Sequence, residues 1–122
     1  MQITKILIVD DDARFKTFVK ELFSPEEDLQ IIGEAANGKE ALRKAKELKP
    51  DLVLMDISMP WMSGLDATRQ LKKMMPELVV IILTIYDLDG YREAAMAKGA
   101  HDYVLKKDMM KGLIPAIRMA LP

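Results

Sequence analysis

Short apolar runs recur along the chain at residues 6–9, 52–57, 79–83 and 103–105. Each has the length of a strand, is rich in Val, Ile or Leu, and is continuous rather than alternating. Strands covered on both faces read this way. Residues 29–35 form a fifth run, but Gln30 and Glu34 interrupt it as they would in an edge strand. Between the runs the apolar period lengthens. Phe15, Phe18, Val19 and Leu22 lie at helical spacing, and so do Ala41, Leu42, Ala45 and Leu48, with Lys and Glu on the opposite face. Leu65, Leu71 and Met74 predict a third helix, ended by Pro76. Residues 91–98 predict a fourth, stopped by Gly99. That segment is rich in Ala and poor in large anchors, so it should be the most weakly held. Residues 112–121 predict the fifth helix, which tolerates Pro115 only in its first turn, where a missing N–H has no partner to lose.

Strand and helix therefore alternate five times. This order predicts an α/β fold, a five-stranded parallel sheet with helices on both faces. For a sheet of this size the flavodoxin-like strand order 2-1-3-4-5 is the natural arrangement. Ligands then bind beyond the carboxyl ends of the strands, near the switch point between strands 1 and 3.

Composition narrows the picture. A chain of 122 residues that is 50% hydrophobic can bury one core, so residues 1–122 read as one domain. The chain stops at Pro122, where the fifth helix should end. A net charge of −1 excludes the basic footprint of a dedicated nucleic-acid binder. With no Cys, disulfides and thiolate metal sites are excluded, which fits a reducing cytoplasm. No apolar run approaches the roughly 20 residues that span a bilayer, and the N-terminus lacks the form of a signal peptide.

The chemistry collects at one edge of the inferred sheet. Asp10, Asp11 and Asp12 follow strand 1, Asp56 closes strand 3, Thr84 ends strand 4 and Lys106 ends strand 5. Because strands 1 and 3 are neighbours in this topology, their terminal carboxylates converge. Clustered carboxylates repel one another and raise each other's pKa, and a hard divalent cation relieves that repulsion. Oxygen ligands without His or Cys favour Mg²⁺, which also accepts phosphate oxygens. A carboxylate can act as nucleophile. Lysine, a hydroxyl and Mg²⁺ can each bind one oxygen of a transferring phosphoryl group. Singly, each feature has a structural reading: a polar strand end, a helix cap or a turn former. Together at one edge they point to phosphoryl transfer. The ten Met read as core filler, His101 as a turn or surface residue, and Trp61 as a loop-packing residue with partner contact as the alternative.

Four segments carry a resemblance. Ile6-Leu7-Ile8-Val9-Asp10-Asp11, then Leu54-Met55-Asp56-Ile57-Ser58-Met59-Pro60 with Gly64, then Leu83-Thr84, then Tyr103-Val104-Leu105-Lys106 resemble the CheY-like receiver domain of two-component response regulators. The match covers essentially the whole chain. It implies a phosphoacceptor switch rather than a turnover enzyme, with Asp56 as the acceptor and a sensor histidine kinase or phosphotransfer protein as donor. It implies that Asp11 ligates Mg²⁺ directly, Asp10 through water, and Ser58 through its backbone carbonyl. Lys106 would pair with the acceptor and then with the phosphoryl group. Thr84 would supply the hydroxyl that swings toward that group, and Tyr103 the aromatic ring that turns inward as it does. The surface of helix 4, strand 5 and helix 5, with Arg92, Lys98, Lys107, Lys111 and Arg118 as contact charges, would then change and expose a dimer or partner contact. Where many receivers have Pro after the lysine, this chain has Lys107. Lys106-Lys107-Asp108 resembles the NarL/LuxR type instead, which reaches DNA through an output domain that this chain lacks. Asp12 is unusual for the family and is expected only to cap a helix.

Two other readings compete. Asp10-Asp11-Asp12 contains the Asp-x-Asp of haloacid-dehalogenase-like phosphatases, although Arg14 stands where those enzymes carry a small or hydroxyl residue. A pseudo-receiver acting only as a binding module is the third reading, and retention of every acidic and basic position speaks against it.

Overall fold

The computed structural model describes residues 2–121; the ends of the predicted domain, Met1 and Pro122, lie outside the described residues. Five strands alternate with five helices: β1 Thr4–Val9, α1 Ala13–Phe23, β2 Leu29–Ala35, α2 Gly38–Leu48, β3 Leu52–Met55, α3 Gly64–Met74, β4 Val79–Thr84, α4 Asp89–Ala97, β5 Asp102–Leu105 and α5 Met109–Ala120, the last entered through a 3₁₀ turn at Lys106–Asp108. All strand pairs are parallel, in the order β2-β1-β3-β4-β5. This is the predicted flavodoxin-like order.

Side chains of a strand alternate between its faces, so each apolar run feeds two cores. Leu7, Val9, Val53, Met55, Val80 and Ile82 pack against Ala41 and Ala45 of α2, Ala67 and Leu71 of α3, and Ala95 of α4. Ile6, Ile8, Leu52, Leu54, Ile81 and Leu83 pack against Val19 and Phe23 of α1 and against Leu113 and Ile117 of α5. The first helix after β1 therefore lies on one face and the next three on the other. This reversal opens the crevice at the carboxyl ends of β1 and β3.

The edge strand β2 is covered by lysines. Lys16 and Lys20 of α1 reach the Glu34 carboxylate, and Lys44 of α2 donates to the Glu34 carbonyl. Lysines that cover an edge discourage the addition of a foreign strand.

Several predicted boundaries move. β3 ends at Met55, because the chain turns after Asp56 and closes a loop with the Gly64 N–H donating to the Ile57 carbonyl at 2.8 Å. Phe18 is 43% exposed, whereas Lys16 is buried and bonded to β2. Pro115 lies inside α5, not in its first turn, because α5 begins at Met109. Met109, Leu113 and Ile117 are buried at four-residue spacing on both sides of it. That packing outweighs the bond lost at Pro115, and Pro115 and Lys111 occupy the exposed face, where a freed carbonyl meets water. α4 ends at Ala97, followed by Gly99 at φ 106°. A side chain there would be strained and would meet Lys72.

Candidate functional site

The predicted residues meet where β1 and β3 end. Asp10 is buried and Asp11 exposed just after β1, and Asp56 is 7% exposed just after β3. One carboxylate oxygen from each of Asp10, Asp11 and Asp56 lies within 4.8 Å of the others. The Asp56 N–H donates to the Val9 carbonyl at 3.0 Å, extending the sheet ladder one step and fixing the acidic residue against β1.

Close approach to Asp56 explains Gly64. A Cβ at that position would sit 1.8 Å from the Asp56 carbonyl oxygen. The loop 57–64 closes flush against the acidic residue only because position 64 has no side chain. Gly64 was part of the motif, but its role was not evident from the sequence.

Electrostatics follow from the packing. Burial pushes the Asp56 carboxyl up to about 6, and the Asp10 carboxylate adds to the effect. The Lys106 ammonium and the Ile57 N–H, which donates to Asp56 Oδ1 at 2.9 Å, oppose the shift without cancelling it. Asp10 is better satisfied. Its Oδ1 accepts from the Asp12 N–H at 2.8 Å and its Oδ2 from Lys106 Nζ at 2.8 Å. Lys106 thus pairs with Asp10 and not with Asp56 as expected. Its Nζ also lies 3.9 Å from the centroid of the Phe15 ring, a cation–π contact that directs the flexible stem toward β1. Phe15 is an element of the site that its place in a helical pattern hid.

Asp12 accepts from the N–H groups of Arg14 and Phe15, so it is the N-cap of α1 as predicted. Ser58 is exposed in the loop beyond Asp56. Thr84 is fully buried, and its Oγ1 accepts from the Tyr86 N–H at 3.3 Å. Tyr103 is 4% exposed, with its ring already inward and its hydroxyl donating to the Tyr86 carbonyl at 2.7 Å.

The predicted contact charges separate. Arg92 donates to the Tyr103 carbonyl at 2.9 Å, and Lys107 pairs with Asp87 at 3.2 Å. Arg118 faces away from the α4–β5 surface. It clamps Asp28 through two bonds of 2.7 and 3.0 Å and reaches Glu26 at 2.9 Å, tying α5 to the segment before β2. Trp61 does not pack in its loop. It is 91% exposed, at φ 67°, with the Pro60 carbonyl accepting from the Met62 N–H at 2.8 Å around it. Met59 and Met62 on either side face the core in its place. His101 has a structural role, its Nδ1 accepting from the Val80 N–H at 3.4 Å.

A doubly wound parallel sheet with three carboxylates and a lysine at its switch point defines a phosphate-handling α/β signalling or transfer domain. The chain belongs to the response regulator receiver domain family, whose model matches residues 6–118. It is 42% identical over 116 residues to the response regulator protein VraR of Staphylococcus aureus, covering 93% of this chain and 54% of that one. Among solved structures it is similar to a LuxR-family two-component response regulator from Aurantimonas, with a TM-score of 0.92 and 28% identity over 97% of this chain and 84% of that one. It is also similar to a chain of the CheX–CheY–BeF₃–Mg²⁺ complex of Borrelia burgdorferi, with a TM-score of 0.89 and 25% identity over 95% of this chain and 87% of that one. The chain spans about half the length of the curated relatives it matches. It is a receiver domain of the two-component response-regulator type, with transcription regulators among its relatives. Receivers are signalling domains, and this membership sets the phosphatase reading aside. Among the described residues no helix is long and apolar enough to cross a membrane.

Proposed function

We propose that Asp56 accepts a phosphoryl group from a phosphohistidine on a sensor kinase or phosphotransfer protein. An Asp56 carboxylate oxygen attacks phosphorus, the N–P bond breaks, and the imidazole leaves with a proton, giving an acyl phosphate. The observation that carries this reading is the trio of carboxylates with oxygens within 4.8 Å of one another, Asp10 and Asp56 buried and Asp10 bonded to Lys106. One lysine against three carboxylates leaves excess negative charge, and the donor set is oxygen only. That fits a hard cation such as Mg²⁺, held by Asp10, Asp11 and Asp56 with the Ser58 carbonyl. Bound there, Mg²⁺ supplies positive charge to the phosphoryl oxygens. The beryllofluoride and Mg²⁺ bound in the structural relative support the same assignment.

The remaining residues divide the work. The Lys106 ammonium, 2.8 Å from Asp10, is near enough to Asp56 to lower its pKa and would meet a phosphoryl oxygen. The Thr84 hydroxyl would donate to another, and Tyr103 marks the change beside it. Autodephosphorylation returns the domain to rest. Residues 1–122 act as one receiver domain in the cytoplasm. A transcriptional regulatory protein and a DNA-binding response regulator among the relatives support an output, including DNA binding, through a part absent from this chain. A phosphorylation-dependent homodimer is part of the same reading.

Intact-mass spectrometry after treatment with acetyl phosphate tests it. The unmutated chain should gain one phosphoryl group only when Mg²⁺ is present, and Asp56→Asn should gain none. Labelling that survives Asp56→Asn but is lost in Asp10→Asn would restore the phosphatase reading. No labelling of the unmutated chain would favour the pseudo-receiver.

A further inference from the structure

Asp10, Asp12, Phe15 and Lys106 form a closed circuit of contacts. Asp10 Oδ1 accepts from the Asp12 N–H at 2.8 Å. Asp12 Oδ1 accepts in turn from the N–H groups of Arg14 and Phe15 at 3.0 and 3.3 Å, which fixes the first turn of α1. The Lys106 ammonium lies over the Phe15 ring, 3.9 Å from its centroid, and returns to Asp10 Oδ2 at 2.8 Å.

The fold brings the ring and the ammonium together. α1 and α5 pack on the same face of the sheet, and Lys106 opens the 3₁₀ turn that leads into α5. Phe15 is half-buried against that shared core. In the sheet, β3 and β4 separate β5 from β1, and β3 is the strand that delivers Asp56. Lys106 therefore bonds to the carboxylate of the more distant strand. Both carboxylates are buried, so burial alone does not favour Asp10 over Asp56. The aromatic face is an added attraction beside Asp10. It acts in a place shielded from water, with the Lys106 and Asp10 side chains 19% and 2% exposed, where a cation–π contact is stronger.

We propose that Phe15 is a positioning residue that parks the Lys106 ammonium on Asp10 and so sets how readily that ammonium reaches a phosphoryl group at Asp56. This inference rests on Asp56 being the phosphoacceptor. An ammonium on a four-carbon stem has three donors and can exchange one acceptor for another. To meet a phosphoryl oxygen at Asp56 it leaves the ring face. A contact made at rest and lost in the transition state slows the reaction. The same contact disfavours the phosphorylated state at equilibrium, because only the resting arrangement contains it.

Two measurements test the parking. Protons over an aromatic face resonate upfield, so the Lys106 ε-methylene protons of the unmutated chain should be shifted upfield at rest. They should return toward ordinary values when beryllofluoride and Mg²⁺ are added. Phe15→Leu keeps an apolar side chain and the backbone bond to Asp12 but removes the aromatic face. It should lose the upfield shift at rest and take phosphate from acetyl phosphate at Asp56 about threefold faster or more. Phe15→Tyr, which keeps the face, should restore both the shift and the slower rate. An unmutated chain without the upfield shift, or with a shift that beryllofluoride leaves unchanged, overturns the proposal. So does a Phe15→Leu rate equal to or below that of the unmutated chain, or a Phe15→Tyr variant that behaves like Phe15→Leu. An unmutated chain that takes no phosphate at Asp56 overturns the acceptor assignment instead, while the resting shift still reports whether Lys106 is parked.

Discussion

α3 and α4 both follow strands whose ends supply site residues, yet they are anchored to different degrees. α3 is capped by Ser63, whose hydroxyl accepts from the Asp66 N–H at 3.2 Å, and the Thr68 hydroxyl donates to the Gly64 carbonyl at 2.7 Å. Gly64, Ala67, Thr68 and Leu71 are buried, and Lys72 closes the other end by donating to the carbonyls of Pro76 and Leu78 at 2.6 and 2.7 Å. α4 has no side-chain cap and buries only Ala95. The loop to α3 starts from Asp56, the proposed phosphoacceptor, and the loop to α4 starts from Thr84. The site therefore joins a fixed half that presents the carboxylate to a loose half that responds to what is attached to it. A switch needs both, because a nucleophile must be held in place and a responding element is drawn from the low-stability end of the fold.

Glycine substitutions break the comparison most severely. Gly64→Ala should cost about 3 kcal/mol or more, because its Cβ would meet the Asp56 carbonyl oxygen at 1.8 Å. Gly90→Ala in the first turn of α4, where a Cβ meets nothing within 4 Å, should instead stabilise by up to about 1 kcal/mol. Urea denaturation of the two variants measures both effects. A mild effect of Gly64→Ala would mean that the loop after Asp56 is not pinned.

The next effect is electrostatic. Burial, with the Asp10 carboxylate beside it, raises the Asp56 carboxyl from an ordinary 3.8 to about 6. A group whose folded pKa is raised holds its proton in the native state after the unfolded chain has lost it. Stability from this group is therefore greatest below pH 4 and declines as pH rises toward 6, by about 3 kcal/mol in all. Asp56→Asn removes the titration. The stability difference between this variant and the unmutated chain should be small near pH 4 and reach about 3 kcal/mol in the variant's favour above pH 7, without Mg²⁺. A difference that does not vary with pH would contradict the burial and the Asp10 proximity assigned to Asp56.

Caps give the smallest effect. Ser63→Ala should cost α3 about 1 kcal/mol, and Leu88→Ser should stabilise α4 by a similar amount. Thermal melts of the two variants should therefore shift in opposite directions. Equal downward shifts would show that α4 is not loose for want of a cap.

Much of this division could be read from the chain. Strands buried on both faces admit no polar residue, so β1, β3 and β4 stood out as unbroken apolar runs, and their order brought Asp10, Asp11, Asp56, Thr84 and Lys106 to one edge. The weakness of α4 was visible in its Ala content. Other features depend on tertiary contacts. Helical spacing placed Phe18 beside Val19 on the inward side, but only packing against β2 decides that Lys16 turns in and Phe18 out. Pro115 reads as a first-turn residue until Met109, Leu113 and Ile117 are seen to anchor the helix on both sides. The partner of Lys106 is a choice among carboxylates a few ångström apart, settled by the burial of Asp10 and the ring of Phe15. Tyr86 meets Thr84, Tyr91 and Tyr103 only once the loop after β4 is folded, so nothing in its local sequence marked it.

The most direct test of the fixed and loose halves is amide exchange of the unmutated chain, compared between residues 64–74 and residues 89–97, with and without beryllofluoride in the presence of Mg²⁺. The account predicts slow exchange in α3 that does not change, and fast exchange in α4 that changes on addition of the phosphoryl mimic. Equal protection of the two helices, or a response confined to α3, would contradict it.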